Sequence, residues 1–290
     1  MRIGVSLLNN WGIGDAQAVV GLATHAETLG FDSVWVHDHV FNVGHVLDRI
    51  GDRPYYEPLT LLSFVAARTA RVRLGTSVLV LPYHNAIRLA KAAATLDVLS
   101  GGRLVLGVGV GAIENEMEAM GSAYKERGAI TDESMAVMRA LWTEDDPRHD
   151  GRHYRFAGMK FSPKPLQKPI PLVIGGVSRV AIRRAARSGD GWQPLGLSPD
   201  ALEQGIAQLR EELRACGRDA AQVPVSLALS LAESRRGRFA LGATGPEIVK
   251  SATAFAALGV ETLIVSANTS DPRAARAVMD MLAREVLPAL

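Results

Sequence analysis

The chain has 290 residues, 48% of them hydrophobic, enough for a large buried core in one sizeable domain. Thirty-two Lys and Arg against thirty Asp and Glu leave a formal charge of +2, which argues against the basic face or stripe of a nucleic-acid binder. The single cysteine, Cys216, can form no internal disulfide, no apolar run nears the ~18 residues of a membrane helix, and Asn9 and Asn10 come too early for a secretory leader. A cytoplasmic, non-membrane protein is expected.

Apolar runs of strand length are predicted at 2–8, 33–37, 72–79, 104–110, 171–174, 191–195, 225–231 and 262–266. Each is followed by helical spacing, at 15–29, 58–70, 86–99, 132–142, 177–188, 199–216, 246–258 and 272–287. Strict alternation without hairpin signals implies parallel strands and right-handed crossovers. Eight such units fit an α/β (β/α)8 TIM barrel, with a doubly wound open sheet as the rival fold. Ser198-Pro199, Thr244 ahead of Pro246, and Asp271-Pro272 supply helix starts, while Gly30 and Gly259 supply stops. Two segments exceed the minimal unit. One is 40–57; the other is a polar insertion at about 145–168, where 151–156 suggests a short hairpin. The insertion precedes the fifth strand and is expected at the end of the barrel opposite the strand tips.

In a barrel of this kind the chemistry lies just after the strands. The second strand ends in His37-Asp38-His39, whose histidines, one residue apart, suggest a metal hydrolase. No histidine follows His153 to complete a ligand set, so no metal is expected, and His39 is read as a proton-handling or cofactor-contacting residue. Gly107-x-Gly109-x-x-Ala112 matches a loose dinucleotide fingerprint, but mid-chain its glycines read better as room for a flat ligand or for backbone. Gly175-Gly176-Val177-Ser178 is either an anion site at a helix start or a tight turn with Ser178 as cap. Arg235, Arg236 and Arg238 form either an anion clamp at the barrel mouth or a solvated loop. Leu7, Trp11, Tyr55, Tyr56 and Tyr83 are candidate pocket walls or packing.

Six segments carry a family resemblance: AETLGFDSVWV at 26–36, Asp38-His39, RLGTSVL at 73–79, ATLDVLSGGRL at 94–104, GVGVG at 107–111 and GDGW at 189–192. In order and spacing they resemble the luciferase-like flavin and deazaflavin oxidoreductases, and most the bacterial branch dependent on coenzyme F-420, an 8-hydroxy-5-deazaflavin. The resemblance implies a (β/α)8 barrel and a flat ring packed on a bulge after the third strand, at Thr76, Ser77 and Val78, with a cis peptide at Ser77–Val78. It further implies that Asp38 and His39 approach the ring, with His39 supplying a proton. Gly109 and Gly111 would give the ring room, and Gly175, Gly176, Val177 and Ser178 would receive a phosphate. Asn115 and Trp192 are secondary cofactor candidates. Ala112 stands where the family's sugar-phosphate dehydrogenases carry a catalytic glutamate, which argues against that oxidation. The expected activity is hydride transfer between the deazaflavin and a small organic substrate, in a homodimer. The alternatives are an FMN-dependent two-component monooxygenase on the same barrel, a metal-dependent hydrolase, or a non-catalytic ligand-binding barrel.

Overall fold

The computed structural model describes residues 1–231 and 238–290. Eight parallel strands close into a barrel. They are β1 (Arg2–Ser6), β2 (Ser33–Val36), β3 (Arg73–Val80), β4 (Leu104–Gly109), β7 (Leu172–Gly175), β8 (Gly191–Gln193), β9 (Val225–Ser230) and β10 (Val260–Ser266), and β10 returns to β1. The outer ring consists of α1 (Ala16–Leu29), α3 (Pro58–Arg68), α4 (Ala86–Ser100), α6 (Arg127–Thr143), α7 (Arg179–Ser188), α8 (Pro199–Ala215), α9 (Gly245–Ala257) and α10 (Pro272–Met281). Two short helices are additional, α2 (His45–Ile50) in the 40–57 segment and α5 (Glu114–Ala119) after β4. The predicted (β/α)8 architecture is therefore the observed one.

Local chemistry places the helix ends where the sequence marks them. Asp15, Ser198 and Asp271 side chains accept from the first-turn N–H groups of α1, α8 and α10, and Thr244 with Glu247 forms a capping box at α9. Gly30 ends α1 at φ 87, in the left-handed region that costs glycine least. The strands are buried on both faces, which is why they read as continuous apolar runs.

Trp35, Val105, Val173, Ala228 and Ile264 pack together as one buried cluster. A Cβ at Gly4 would sit 2.6 Å from Trp35 Nε1, and one at Gly75 would overlap the indole ring, so the two neighbouring strands give up side chains to admit Trp35. The polar insertion forms a two-residue antiparallel hairpin, β5 (His149–Asp150) with β6 (Arg155–Phe156). Its course corrects the expectation that it stays at the far end. Glu133 accepts from the N–H groups of His153 and Tyr154, and Tyr154 Oη accepts from the Ala86 N–H. The hairpin thus climbs the outside of α6 to the start of α4, at the strand-tip end, because its polar tip finds partners there.

Candidate active site

The strand tips enclose a cavity of about 360 Å³ and an adjoining one of about 400 Å³, which share Ser77, Val78, Leu195, Ala228 and Arg238. The wall between them is the bulge of β3. Thr76 pairs with Leu106 and Leu79 with Val108, so Ser77 and Val78 oppose the single residue Gly107. The Ser77–Val78 peptide is cis, as the resemblance implies. Three neighbours yield to Val78. A Cβ at Gly109 would lie 2.8 Å from Val78 Cγ2, one at Gly175 would lie 2.7 Å from Val78 Cγ1, and one at Gly107 would strike Thr76 O and crowd Val78. Thr76 Oγ1 donates to Gly107 O behind the bulge.

Titratable groups from several elements surround this wall. His37 Nδ1 lies 2.7 Å from Ser77 O, so it carries the proton, and Nε2 accepts from Ser6 Oγ at 3.0 Å. Burial, with smaller contributions from Arg49 and His39, lowers the His37 pKa to about 4, so the ring is neutral at pH 7 and braces the bulge. Asp38 is buried and its Oδ2 accepts from the Val80 N–H at 2.9 Å and from His84 Nε2 at 2.8 Å, pinning the chain beyond the bulge. Burial works against charge on His84, but the hydrogen bond and charge of Asp38 outweigh it and raise the His84 pKa.

His39 faces the cavity with Nδ1 2.7 Å from Glu116 Oε2. Glu116 is 1% exposed and fully engaged: Oε1 accepts from the Val40 and Phe41 N–H groups, and Oε2 also from Tyr83 Oη. Burial alone would raise its pKa, but the His39 hydrogen bond, the Phe41 N–H, the His39 charge and Tyr83 together lower it to about 2. An ionised carboxylate only accepts, so His39 Nδ1 holds the proton and Nε2 is the nitrogen available to the cavity. The same environment drives the Tyr83 phenol up, through burial and then Glu116, so it remains a donor. Helix α2, within the long segment after β2, adds His45 and Arg49 over the cavity, beside Trp11 and Tyr55. Among the described residues, no group of three His, Cys, Asp or Glu side chains converges as a metal would require.

The profile of the luciferase-like monooxygenase family matches residues 1–236. The chain belongs to this family. It is 39% identical over 178 residues to an F-420-dependent glucose-6-phosphate dehydrogenase of Amycolatopsis mediterranei (strain U-32), a match covering 60% of this chain and 52% of that protein. The chain thus spans about half the length of that curated relative. Among solved structures, a monooxygenase from Streptomyces bottropensis has a TM-score of 0.85 at 22% identity, with 99% of each chain covered. An F-420-dependent secondary alcohol dehydrogenase, in complex with an F-420–acetone adduct, has a TM-score of 0.84 at 20% identity, covering 99% of this chain and 98% of that one. These two share the fold.

The luciferase-like site divides the residues named from sequence into three sets. Asp38, His39, Ser77 and Val78 line the first cavity, and Gly175, Gly176 and Val177 line the second. Gly176, at φ 118, turns the chain into α7. Thr76, Gly109 and Gly111 lie one layer behind: Thr76 and Gly109 serve the bulge, and a Cβ at Gly111 would meet Val80 Cγ1 at 2.6 Å, so these glycines give room to valines. Ser178 caps α7 by accepting from the Ala181 N–H. Two more residues line neither cavity. Trp192 is fully buried, and its Nε1 donates to Gly176 O, so it props the turn from behind because its side chain packs outward on Gly205 of α8. Asn115 is exposed on α5, with its Oδ1 accepting from the Glu116 N–H. Trp11 and Tyr55 do line the cavity; Leu7 is buried core, Tyr56 Oη donates to Ile13 and Gly14 carbonyls, and Tyr83 lies behind His39. Arg238 lies where the cavities meet; Arg235 and Arg236 fall outside the described residues. Sequence reasoning missed Glu116 as the partner of His39, the roof residues His45 and Arg49, and Gln193.

The cavity also fits a flat, partly polar ligand. Val78 offers an apolar surface between the two spaces, and Gln193, 3% exposed beside Gly175, has neither amide atom hydrogen-bonded by a described residue. A buried amide that borders a cavity can meet what occupies it.

Proposed function

We propose that the chain is a coenzyme F-420-dependent oxidoreductase that moves a hydride between the deazaflavin and a small organic substrate. The observation that carries this reading is the His39–Glu116 pair, which presents the imidazole Nε2 to a cavity beside the cis bulge. The F-420-dependent relative and the family match support it. When bound, the coenzyme supplies the hydride chemistry. Ser77 and Val78 would form the face on which its ring lies, and Gly175, Gly176, Val177 and Ser178 would hold its phosphate.

The chain's own part is proton handling and positioning. His39 Nε2 gives a proton to, or takes one from, the reacting oxygen or carbon of the substrate, and the Glu116 carboxylate holds the ring in place through its Nδ1. Trp11 and Tyr55 line the cavity, and the Tyr55 ring packs edge-on against His39. Ala112, on the cavity wall, brings no carboxylate to that position. That favours reduction of an unsaturated or carbonyl substrate over sugar-phosphate oxidation. The second reading, an FMN-dependent monooxygenase, rests on the description of the family.

Titration of the purified protein with coenzyme F-420 and, in parallel, with FMN, followed by cofactor fluorescence, tests the reading. Tight binding of the deazaflavin supports it. A preference for FMN moves the protein to the oxygen-using reading, and binding of neither refutes both.

A further inference from the structure

We propose that the Gln193 carboxamide orients the cofactor by pairing with the coplanar N–H and C=O edge of the pyrimidinedione ring that flavins and deazaflavins share. This inference rests on the redox reading above and names a residue that reading does not use.

Position comes first. Gln193 ends β8 and pairs in register with Gly175 of β7. Its neighbour Trp192 packs outward on Gly205 of α8, so strand alternation turns Gln193 toward the barrel mouth. There it lines the second cavity with Val78, Gly175 and Gly176, next to the wall against which a flat ring would lie.

Its hydrogen bonding is the second observation. Around the bulge His37 is engaged with Ser6 and Ser77, Asp38 with Val80 and His84, and Glu116 with His39 and Tyr83. In the first cavity Asn10 Oδ1 and Tyr55 Oη each lack a described partner, and in the second Gln193 lacks one at both ends of its amide. Both Oε1 and Nε2 are buried, and neither meets a partner among the described residues. Leaving such a group unmet is unfavourable, and Val78, Leu195 and Ala228 in its wall are apolar, so packing does not explain an amide here.

The chemistry of the amide selects the partner. It presents one acceptor and one donor side by side in a plane. An anion would satisfy Nε2 but repel Oε1, and a cation would do the reverse. A neutral edge with a donor next to an acceptor satisfies both, as when glutamine pairs bidentately with a base edge. The ring edge of a flavin or deazaflavin has that arrangement and is rigid, so little ordering cost offsets the bonds.

The experiment compares the wild type with Gln193→Met and Gln193→Glu, using coenzyme F-420, FMN, and a ring-only analogue (lumiflavin or its 5-deaza counterpart). For whichever cofactor the wild type binds, each variant is expected to weaken binding about tenfold or more, and the matching ring-only analogue by a similar factor. In Gln193→Met the ligand-free protein is expected to melt higher, because the unmet amide is gone, while the rise in melting temperature on adding cofactor shrinks. A merely structural glutamine would lower the ligand-free melting temperature instead. Unchanged affinity in Gln193→Met, or a loss confined to the full cofactor and absent with the ring-only analogue, overturns the assignment while leaving the redox reading intact. Failure of the wild type to bind any of these ligands overturns both.

Discussion

Glu116→Gln isolates the charge that holds His39. Glutamine has nearly the shape of a protonated glutamate, so its cost approximates the free energy that ionisation of Glu116 contributes to the fold. The carboxyl falls from 4.5 to about 2 on folding, which at about 1.4 kcal/mol per pH unit amounts to about 3 kcal/mol at neutral pH. The sign follows from linkage. A depressed carboxylate pKa contributes stability that is complete above about 4.5 and lost as pH falls toward about 2. Urea unfolding of wild type and Glu116→Gln is therefore expected to differ by about 3 kcal/mol at pH 7, and by about 1 kcal/mol less at pH 3.5. In enzyme that binds cofactor, the variant also loses turnover by about two orders of magnitude, because His39 no longer has a carboxylate to fix its tautomer. A stability gap that is the same at both pH values would refute the reasoning, since it would assign the loss to packing rather than charge.

Three further outcomes follow from the same geometry. The His37 pKa, lowered from 6.5 to about 4 by burial, makes the neutral ring part of the fold, so stability should decline from about pH 6.5 to pH 4 by up to about 3 kcal/mol. Urea titrations of wild type and His37→Asn across that window measure it, and parallel curves would count against it. Gly175→Ala places a methyl 2.7 Å from Val78 Cγ1 and should cut cofactor affinity at least about tenfold with a smaller effect on melting temperature; equal affinity would show that the bulge can shift freely. Gly75→Ala overlaps the Trp35 ring and should destabilise by about 1–3 kcal/mol, with recovery in a Trp35→Leu background. Absence of that recovery would place the strain elsewhere.

The barrel was legible because parallel strands covered on both faces produce unbroken apolar runs, and because Gly30, Ser198, Thr244 and Asp271 mark helix ends chemically. The bulge could be placed from the motif around Ser77 and Val78, and both residues lie in the cavity wall. The His39–Glu116 pair was not legible. The two are far apart in sequence and meet only because short α5 follows β4 directly and turns Glu116 inward beneath the segment after β2. The orientation of Trp192 was not legible for a related reason: one step of strand alternation decides that it props Gly176 while Gln193 meets the cavity. The glycines of β4 were recognised as making room, but what fills the room at Gly109 is Val78.

The staves of this barrel are joined unevenly. β3 and β4 run together through five register pairs, whereas β8 meets β9 at Trp192–Val225, followed by the isolated pairing of Leu195 with Ala228. That thin seam borders the second cavity, where Leu195 and Ala228 are themselves wall residues. A molecule seated there would touch both staves where they share the fewest register pairs among the described residues. Occupancy of the site thereby becomes part of the closure of the barrel, and amide hydrogens of β8 and β9 are the ones whose exchange would slow most when it fills.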